Sequence, residues 1–322
     1  MLWAGNATPK LVALIGPGLL AYTVDLKSWI KVDVSSVYDG TGMGVDYNST
    51  GAVLMIANYT NNAAYLPQQE RVVSLPKFKV KSAYTNVHST AGLAVDPTAG
   101  KLKYDAGRWM FGGANSKVAM STDNGATWTK YNTWASSTTR NPSIVRYFAS
   151  KTIYVACYPN VSQIGTSPVG SFNSSNWTVT STGFTTQTRF VAEGATGNFL
   201  ALGGSATVGQ IATSTTLTTW TSRTWINTNL PNWAVWNGTT WVVVANGGTI
   251  ATSTDGVTWT SRTSGITSNL LWVDWDVNKN QFIAVGDSMI ILTSPDGVTW
   301  SNKAAVATNF SATTPIQVTR VS

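Results

Sequence analysis

Between Trp241 and Trp259 the chain reads Trp-Val-Val-Val-Ala-Asn-Gly-Gly-Thr-Ile-Ala-Thr-Ser-Thr-Asp-Gly-Val-Thr-Trp. An aromatic residue opens a short apolar run, a glycine pair breaks it, a second apolar run follows, and a polar turn closes on a tryptophan. Short runs rich in Val and Ile, bounded by Gly, Asn, Asp and Ser, read as the strands of a hairpin and are too brief for a helix. The same frame returns from Phe282 to Trp300, with Ser294, Asp296, Gly297 and Thr299 in the closing turn. It is present again from Trp109 to Trp128, where Ser121, Asp123, Gly125 and Thr127 precede the tryptophan.

Working outward, Ile153 to Trp177 and Phe199 to Trp220 keep the two strands and the terminal tryptophan but lose the turn aspartate. Leu11 to Trp29 fits as well, with Gly16 to Gly18 as its turn and Asp25 as a remnant of the closing motif. The interval from Trp29 to Trp128 is about twice the others, and a degenerate copy is expected inside it. Val53 to Ile56, Asn61 and Asn62, and Ala63 to Leu66 supply a strand, a turn and a strand for that copy.

A further apolar strand precedes several copies: Leu270 to Val277, Asn232 to Trp236, and Ser143 to Phe148. The first copy has no room for one. Thr313 to Val321 alternates like a strand and is expected to pair with residues 10–16. The reading is all-β: a single β-propeller over 1–322 with about seven four-stranded blades, six being the alternative. The ring is closed by the C-terminal strand, with 313–322 completing the first blade and removing open sheet edges.

Composition agrees with a β-rich chain. Of 322 residues 11% are charged and 43% hydrophobic, so solubility rests on Ser, Thr, Asn and Gly. The formal net charge is +7, but basic residues do not cluster; Lys77, Lys79 and Lys81 alternate with apolar neighbours along one strand face. Nucleic acid is therefore not the expected partner. Cys157 is the only cysteine, which excludes an intramolecular disulfide and a thiolate metal cluster. The apolar run from Leu11 to Leu20 is about half of what a bilayer requires and is interrupted by Gly16, Pro17 and Gly18. With no basic leader it reads as a strand pair, so neither a signal peptide nor membrane insertion is expected.

The closing pattern, Ser-x-Asp-x-Gly-x-Thr-Trp at Ser121 to Trp128 and one residue shorter at Ser253 to Trp259 and Ser294 to Trp300, resembles the Asp-box, or bacterial neuraminidase repeat. That motif belongs to sialidases and to many non-enzymatic propellers. The resemblance implies a scaffold role for Asp123, Trp128, Asp255, Trp259, Asp296 and Trp300, at the outer turn between the third and fourth strands of a blade. The carboxylate would accept turn amides, the glycine would take positive φ, and the tryptophan would pack under the hairpin.

Sialidases also carry an arginine triad, an early Arg-Ile-Pro, an acidic Asp and a Tyr-Glu pair. Here no Arg-Ile-Pro occurs, the first arginine is Arg71, and Glu70 and Glu193 are the only glutamates. Photosystem II assembly-factor propellers are similar in their short repeats, but they are exported, and no leader is read here. Propeller proteins of bacteriophage virions, such as tail nozzles, hubs and fibres, resemble this chain most closely in their Gly-rich Thr-Ser-x-Asp-Gly-x-Thr-Trp hairpins and low charge.

Little chemistry remains outside the repeats. Glu70 and Glu193 could form a glycosidase pair in principle, yet each reads as a turn residue. Asp274 and Asp276 flank Trp275 and share one strand face without a third ligand for a cation. His88, the sole histidine, sits in a polar loop with Asn86, Ser89 and Thr90. No catalytic residue, metal site or cofactor is assigned. The surplus aromatics are Trp233, Trp236, Trp272 and Trp275, which fall on two successive inner strands at matching spacing. Exposed, they would form a platform for sugar or protein; packed, they would join blades. The expected function is a non-enzymatic structural or interaction protein of a phage virion, assembled in the host cytoplasm. Its partners would be other virion proteins and a cell-surface glycan. A lectin-like propeller and a sialidase-like hydrolase are the alternatives.

Overall fold

A computed structural model of the chain describes residues 11–16, 19–23, 25–27, 29–33, 41–48, 53–59, 72–75, 78–83, 101–105, 107–113, 116–123, 127–132, 140–169, 176–195, 197–303, 315 and 317–320. These residues form seven four-stranded sheets, and the one helical turn among them is a 3-10 turn at Asp287–Met289. Packing divides the chain into two compact units: 1–132 with 136–145 and 315–322, and 133–135 with 146–314.

In the first unit β1 (Leu11–Gly16), β2 (Leu19–Thr23) and β3 (Ile30–Asp33) form a meander whose free edge is taken by the C-terminal strand Gln317–Arg320. Leu11 faces Arg320 and Leu14 faces Gln317 in antiparallel register. The end of the chain thus completes the first sheet, as the alternation of Thr313 to Val321 implies. β8 (Leu102–Asp105), β9 (Arg108–Gly113), β10 (Lys117–Ser121) and β11 (Thr129–Asn132) make a second meander, reached after an irregular sheet.

That irregular sheet corrects the sequence reading. β4 (Thr41–Asn48), β5 (Val53–Tyr59), β6 (Val72–Leu75) and β7 (Phe78–Ala83) lie in the order β4-β5-β7-β6. β5 and β7 run parallel, with Val53 beside Lys79 and Ala57 beside Ala83. A parallel neighbour requires a crossover and cannot be made by a hairpin turn. Residues 53–56 therefore do not begin a repeat of the expected kind, while 61–66 lie outside the described residues. Regular four-stranded blades number six, the alternative count, and the seventh sheet departs from the pattern.

Apart from Ile144 and Val145 at the start of β12, the second unit holds four blades built alike. They comprise β12 (Ile144–Phe148) to β15 (Thr178–Ser181) with β13 (Ile153–Cys157) and β14 (Gln163–Pro168); and β16 (Thr188–Glu193), β17 (Phe199–Ser205), β18 (Val208–Ser214) and β19 (Thr221–Arg223). Next come β20 (Pro231–Trp236), β21 (Trp241–Ala245), β22 (Ile250–Ser253) and β23 (Thr260–Arg262). The last are β24 (Leu270–Asp276), β25 (Gln281–Gly286), β26 (Ile291–Ser294) and β27 (Ser301–Asn302), and Gln317–Arg320 is β28.

Second strands such as β21 and β25 are apolar on both sides because a blade is covered on both faces; every residue of β21 is buried. Val242, Val244, Leu270, Val273, Phe282 and Ala284 form one core, with Trp233, Val235 and Trp275 packed against it. Each buried Val, Leu or Phe contributes roughly 1.5–3 kcal/mol relative to exposure. At the start of β16, β20 and β24 the register shifts at Thr188/Phe190, Pro231/Trp233 and Leu270/Trp272, one bulge per blade at the same place. Such bulges increase local twist and re-aim the extra residue.

Candidate functional site

The polar turns that follow the third strands share one geometry. In the turn between β22 and β23, Ser253 Oγ donates to Asp255 Oδ1 at 2.8 Å, and the amides of Val257 and Thr258 donate to the same oxygen at 2.8 Å each. The Gly256 amide donates to Ser253 Oγ, and Trp259 Nε1 donates to the Gly256 carbonyl at 3.1 Å. Asp296 is held alike by Ser294, Val298 and Thr299, and Trp300 Nε1 reaches the Gly297 carbonyl at 2.8 Å. In the longer turn after β10, Asp123 Oδ1 accepts from Ser121 Oγ and the Thr127 amide, while the Thr127 hydroxyl donates to Oδ2.

These donors set the carboxylate energetics. The Thr258 amide, then those of Val257 and the Ser253 hydroxyl, hold Asp255 down to about 2. Asp296 is lowered by the Thr299 and Val298 amides. Partial burial works against the shift at Asp123, but bonds from Thr127 and Ser121 outweigh it and the group is still lowered.

Two of the turns without the full motif, those before Trp29 and Trp220, keep the geometry with substitutes among the described residues. In the first blade Leu26 N donates to Thr23 Oγ1 and Lys27 N to Asp25 Oδ1, and Leu26 takes φ +63° at the position of Gly256 and Gly297. After β18 the role of Asp255 falls to Thr216, whose Oγ1 accepts from the Thr218 and Thr219 amides at 3.3 Å each, and Leu217 adopts φ +67°.

An arginine follows the closing tryptophan by three positions in two adjacent blades. Arg223 Nε donates to Thr213 Oγ1 and Arg262 Nε to Thr252 Oγ1, both at 2.8 Å, tying the fourth strand to the third. Between the β16–β19 and β20–β23 blades lies a cleft of about 300 Å3, lined among others by Thr213, Thr219, Thr221, Arg223, Trp241 and Asp255. Arg223 and Asp255 face this cleft without forming an ion pair among the described residues. With Oδ1 taking all three of its donors, Asp255 Oδ2 carries no hydrogen bond among the described residues. Sequence reading stopped at the tryptophan and missed this arginine, although Trp-Thr-Ser-Arg stands at both 220–223 and 259–262.

The four inner-strand tryptophans do not form one platform. Side chains alternate along a strand, so Trp233 and Trp236 occupy opposite blade faces, as do Trp272 and Trp275. Trp233 stacks on Phe190 with centroids 4.0 Å apart and Trp272 is buried. Trp236 leans on Trp241 and Trp275 on Phe282, at centroid distances of 5.4 and 4.5 Å. Tyr147 leans on Tyr154 at the same place in the β12–β15 blade. The placement is that of packing residues: Trp236 and Trp275 each face an aromatic on the paired second strand of their own blade, while Trp233 stacks on the preceding blade.

No family model matches the chain, and no curated protein matches it in sequence. Solved structures match along most of its length. A protein from Lactobacillus plantarum has a TM-score of 0.63 at 9% identity, covering 98% of this chain and 100% of that one. The structure titled YCF48 bound to D1 peptide has a TM-score of 0.59 at 14% identity over 91% and 93% of the two chains. The WD40 beta propeller domain of Doa1 has a TM-score of 0.55 at 12% identity over 92% and 93%. The chain is a β-propeller.

Of the other side chains singled out from the sequence, Glu193 lies on β16 and Asp274 and Asp276 on β24, two blades on. Glu193 pairs with Phe199 across β16 and β17, at the place that Trp236 and Trp275 fill in later blades, and its Oε1 is buried without a hydrogen-bond partner among the described residues. Glu70 and His88 lie outside the described residues. Asp276 Oδ1 accepts from the Asn278 amide and so shapes the turn after β24, while Asp274 is half-buried on the same strand face. Among the described residues no group of three or more His, Cys, Asp or Glu is placed to hold a metal ion. Cys157 is buried, and burial pushes its thiol up to about 12 against the opposing pull of Arg146 and an amide at Val191, so the thiolate is suppressed. No helix among the described residues is long and apolar enough to cross a membrane.

Proposed function

We propose that this propeller is a non-enzymatic interaction protein, and that it serves as a component of a bacteriophage virion in a tail nozzle, hub or fibre. The observation that carries this reading is the engagement of the repeated carboxylates by their own turns. Asp255 takes three donors on one oxygen and is held near 2, opposite in direction to the raised pKa that a general acid requires. The repeated tryptophans are likewise engaged in the hairpins and blade packing. What remains for function is surface.

Exposed apolar side chains occur at equivalent turn tips, Val257 and Val298, and at Val277 just after β24. Such positions suit contact with a neighbouring protein. A propeller of similar fold is seen with a peptide bound, which supports protein contact as the mode of action. Other virion proteins are the partners in this reading, and one face presents itself to a cell-surface glycan.

Co-expression with the products of adjacent genes, followed by size-exclusion chromatography and cross-linking, tests it. A stoichiometric complex with a tail or capsid protein is the expected result. Turnover of a fluorogenic sialoside or related glycoside, lost on Glu193→Gln, would contradict it.

A further inference from the structure

We propose that the cleft between the β16–β19 and β20–β23 blades binds a neutral saccharide, with the Arg223 guanidinium donating to sugar hydroxyls and Asp255 Oδ2 accepting from them. Arg223 is fixed by its Nε bond to Thr213 Oγ1, which leaves the other guanidinium N–H groups available. Asp255 is fixed by three bonds to Oδ1, which leaves Oδ2 available. The two line the same cleft of about 300 Å3 and do not close on each other as an ion pair among the described residues.

A preorganised donor and a preorganised acceptor that line one cleft without pairing select a ligand that can both donate and accept. A hydroxyl does both. An anion would be drawn by Arg223 but repelled by Asp255, whose carboxyl stays ionised well below neutral pH. A cation meets the reverse conflict. A polyol avoids both, and Thr221 adds a hydroxyl beside it, while those of Thr213 and Thr219 are already bonded to Arg223 Nε and Thr216 Oγ1. Trp241 supplies an apolar wall in the same cleft. The volume lies at the lower end of the range for small-molecule sites, on the scale of one or two sugar rings.

Saccharide binding here deepens the glycan contact of the proposed function and is independent of protein docking, so its failure leaves the virion-protein contacts standing. The test is titration of the full chain with glucose, galactose, mannose, N-acetylglucosamine and their disaccharides, followed by calorimetry and by amide NMR shifts. At least one sugar is expected to shift the Thr219, Thr221 and Val257 amides. Arg223→Ala and Asp255→Asn should each weaken that sugar roughly tenfold or more, the loss expected for hydrogen bonds to charged groups. Thr221→Val, which keeps shape and removes a hydroxyl with no bond among the described residues, should weaken it less while leaving the melting temperature in place.

Absence of binding by every sugar of the panel would overturn the proposal. So would affinity unchanged in both charge variants, or preferential binding of a free zwitterionic amino acid.

Discussion

Gly256, in the turn between β22 and β23, packs against Thr213 on β18 of the preceding blade: a Cβ at Gly256 would stand 3.4 Å from Thr213 Cγ2 and 3.5 Å from Trp241 Nε1. Gly297 repeats the arrangement one blade later, with Val242 Cγ2 at 3.1 Å and Thr252 Cγ2 at 3.3 Å from the same point. Both glycines have positive φ, +73° and +77°. The turns therefore join blades as well as ending hairpins.

Alanine at either glycine should destabilise the protein by about 1–2 kcal/mol through the left-handed backbone alone. Gly297→Ala should cost more than Gly256→Ala because its surroundings are tighter. Thermal melts followed by circular dichroism check the order; a loss of a few degrees is expected for each. Equal melting temperatures in wild type and both variants would mean that the turns do not bear on the blade interface.

Acid sensitivity follows from the same turns. Asp255 is held at about 2, and Asp123 and Asp296 are also lowered, against about 3.9 in an unfolded chain. A carboxylate lowered in the folded state contributes stability that is present above the unfolded value and is lost as pH falls through the folded one. Melting temperature should be flat from neutral pH down to about 5 and should decline between about 4 and 2. These groups are exposed, so each effect is small and weakens with salt. The double variant Asp255→Asn with Asp296→Asn should flatten the acid limb, as read by melts across that pH range.

The turn after β18 offers the converse experiment. Thr216 Oγ1 accepts the Thr218 and Thr219 amides at 3.3 Å, whereas Asp255 accepts the matching amides at 2.8 Å. Charge-assisted bonds are shorter and stronger than neutral ones. Thr216→Asp should raise stability by about 0.5–1 kcal/mol near neutral pH, and the gain should vanish at low pH. Denaturant titration at both pH values measures it.

The repeat was legible because its spacing is set by chain length per blade, and the turn chemistry requires particular residues at particular offsets. Asp25 and Trp29 could be recognised as a turn even though Leu26 replaces the glycine. The sheet of β4 to β7 was not legible: hydrophobic runs such as Val53 to Tyr59 identify a strand but carry no information on whether its neighbour is parallel. The tryptophans Trp233 and Trp272 were legible as inner-strand residues, but burial depends on the facing blade, which no local pattern encodes. Arg223 left a signal in the doubled Trp-Thr-Ser-Arg. Its meeting with Asp255 across a cleft, 32 residues further along the chain, is a tertiary fact.

Removing 317–322 should expose the edge of β1, where Leu11 to Leu14 pair with Gln317 to Arg320. An unpaired apolar edge strand promotes association. The truncated chain should melt at lower temperature and elute as larger species on size exclusion. A monomer with unchanged stability would show that the pairing contributes nothing to the fold's integrity.

The most direct test of the account pairs two readings on the same proteins: melting temperature, and turnover of a panel of fluorogenic glycosides including a sialoside, for wild type and for Asp123→Asn, Asp255→Asn and Asp296→Asn. If the repeated carboxylates serve the turns, the variants melt lower and none of the proteins, wild type included, turns over a substrate. Wild-type turnover that disappears in one variant whose melting temperature is unchanged would contradict it.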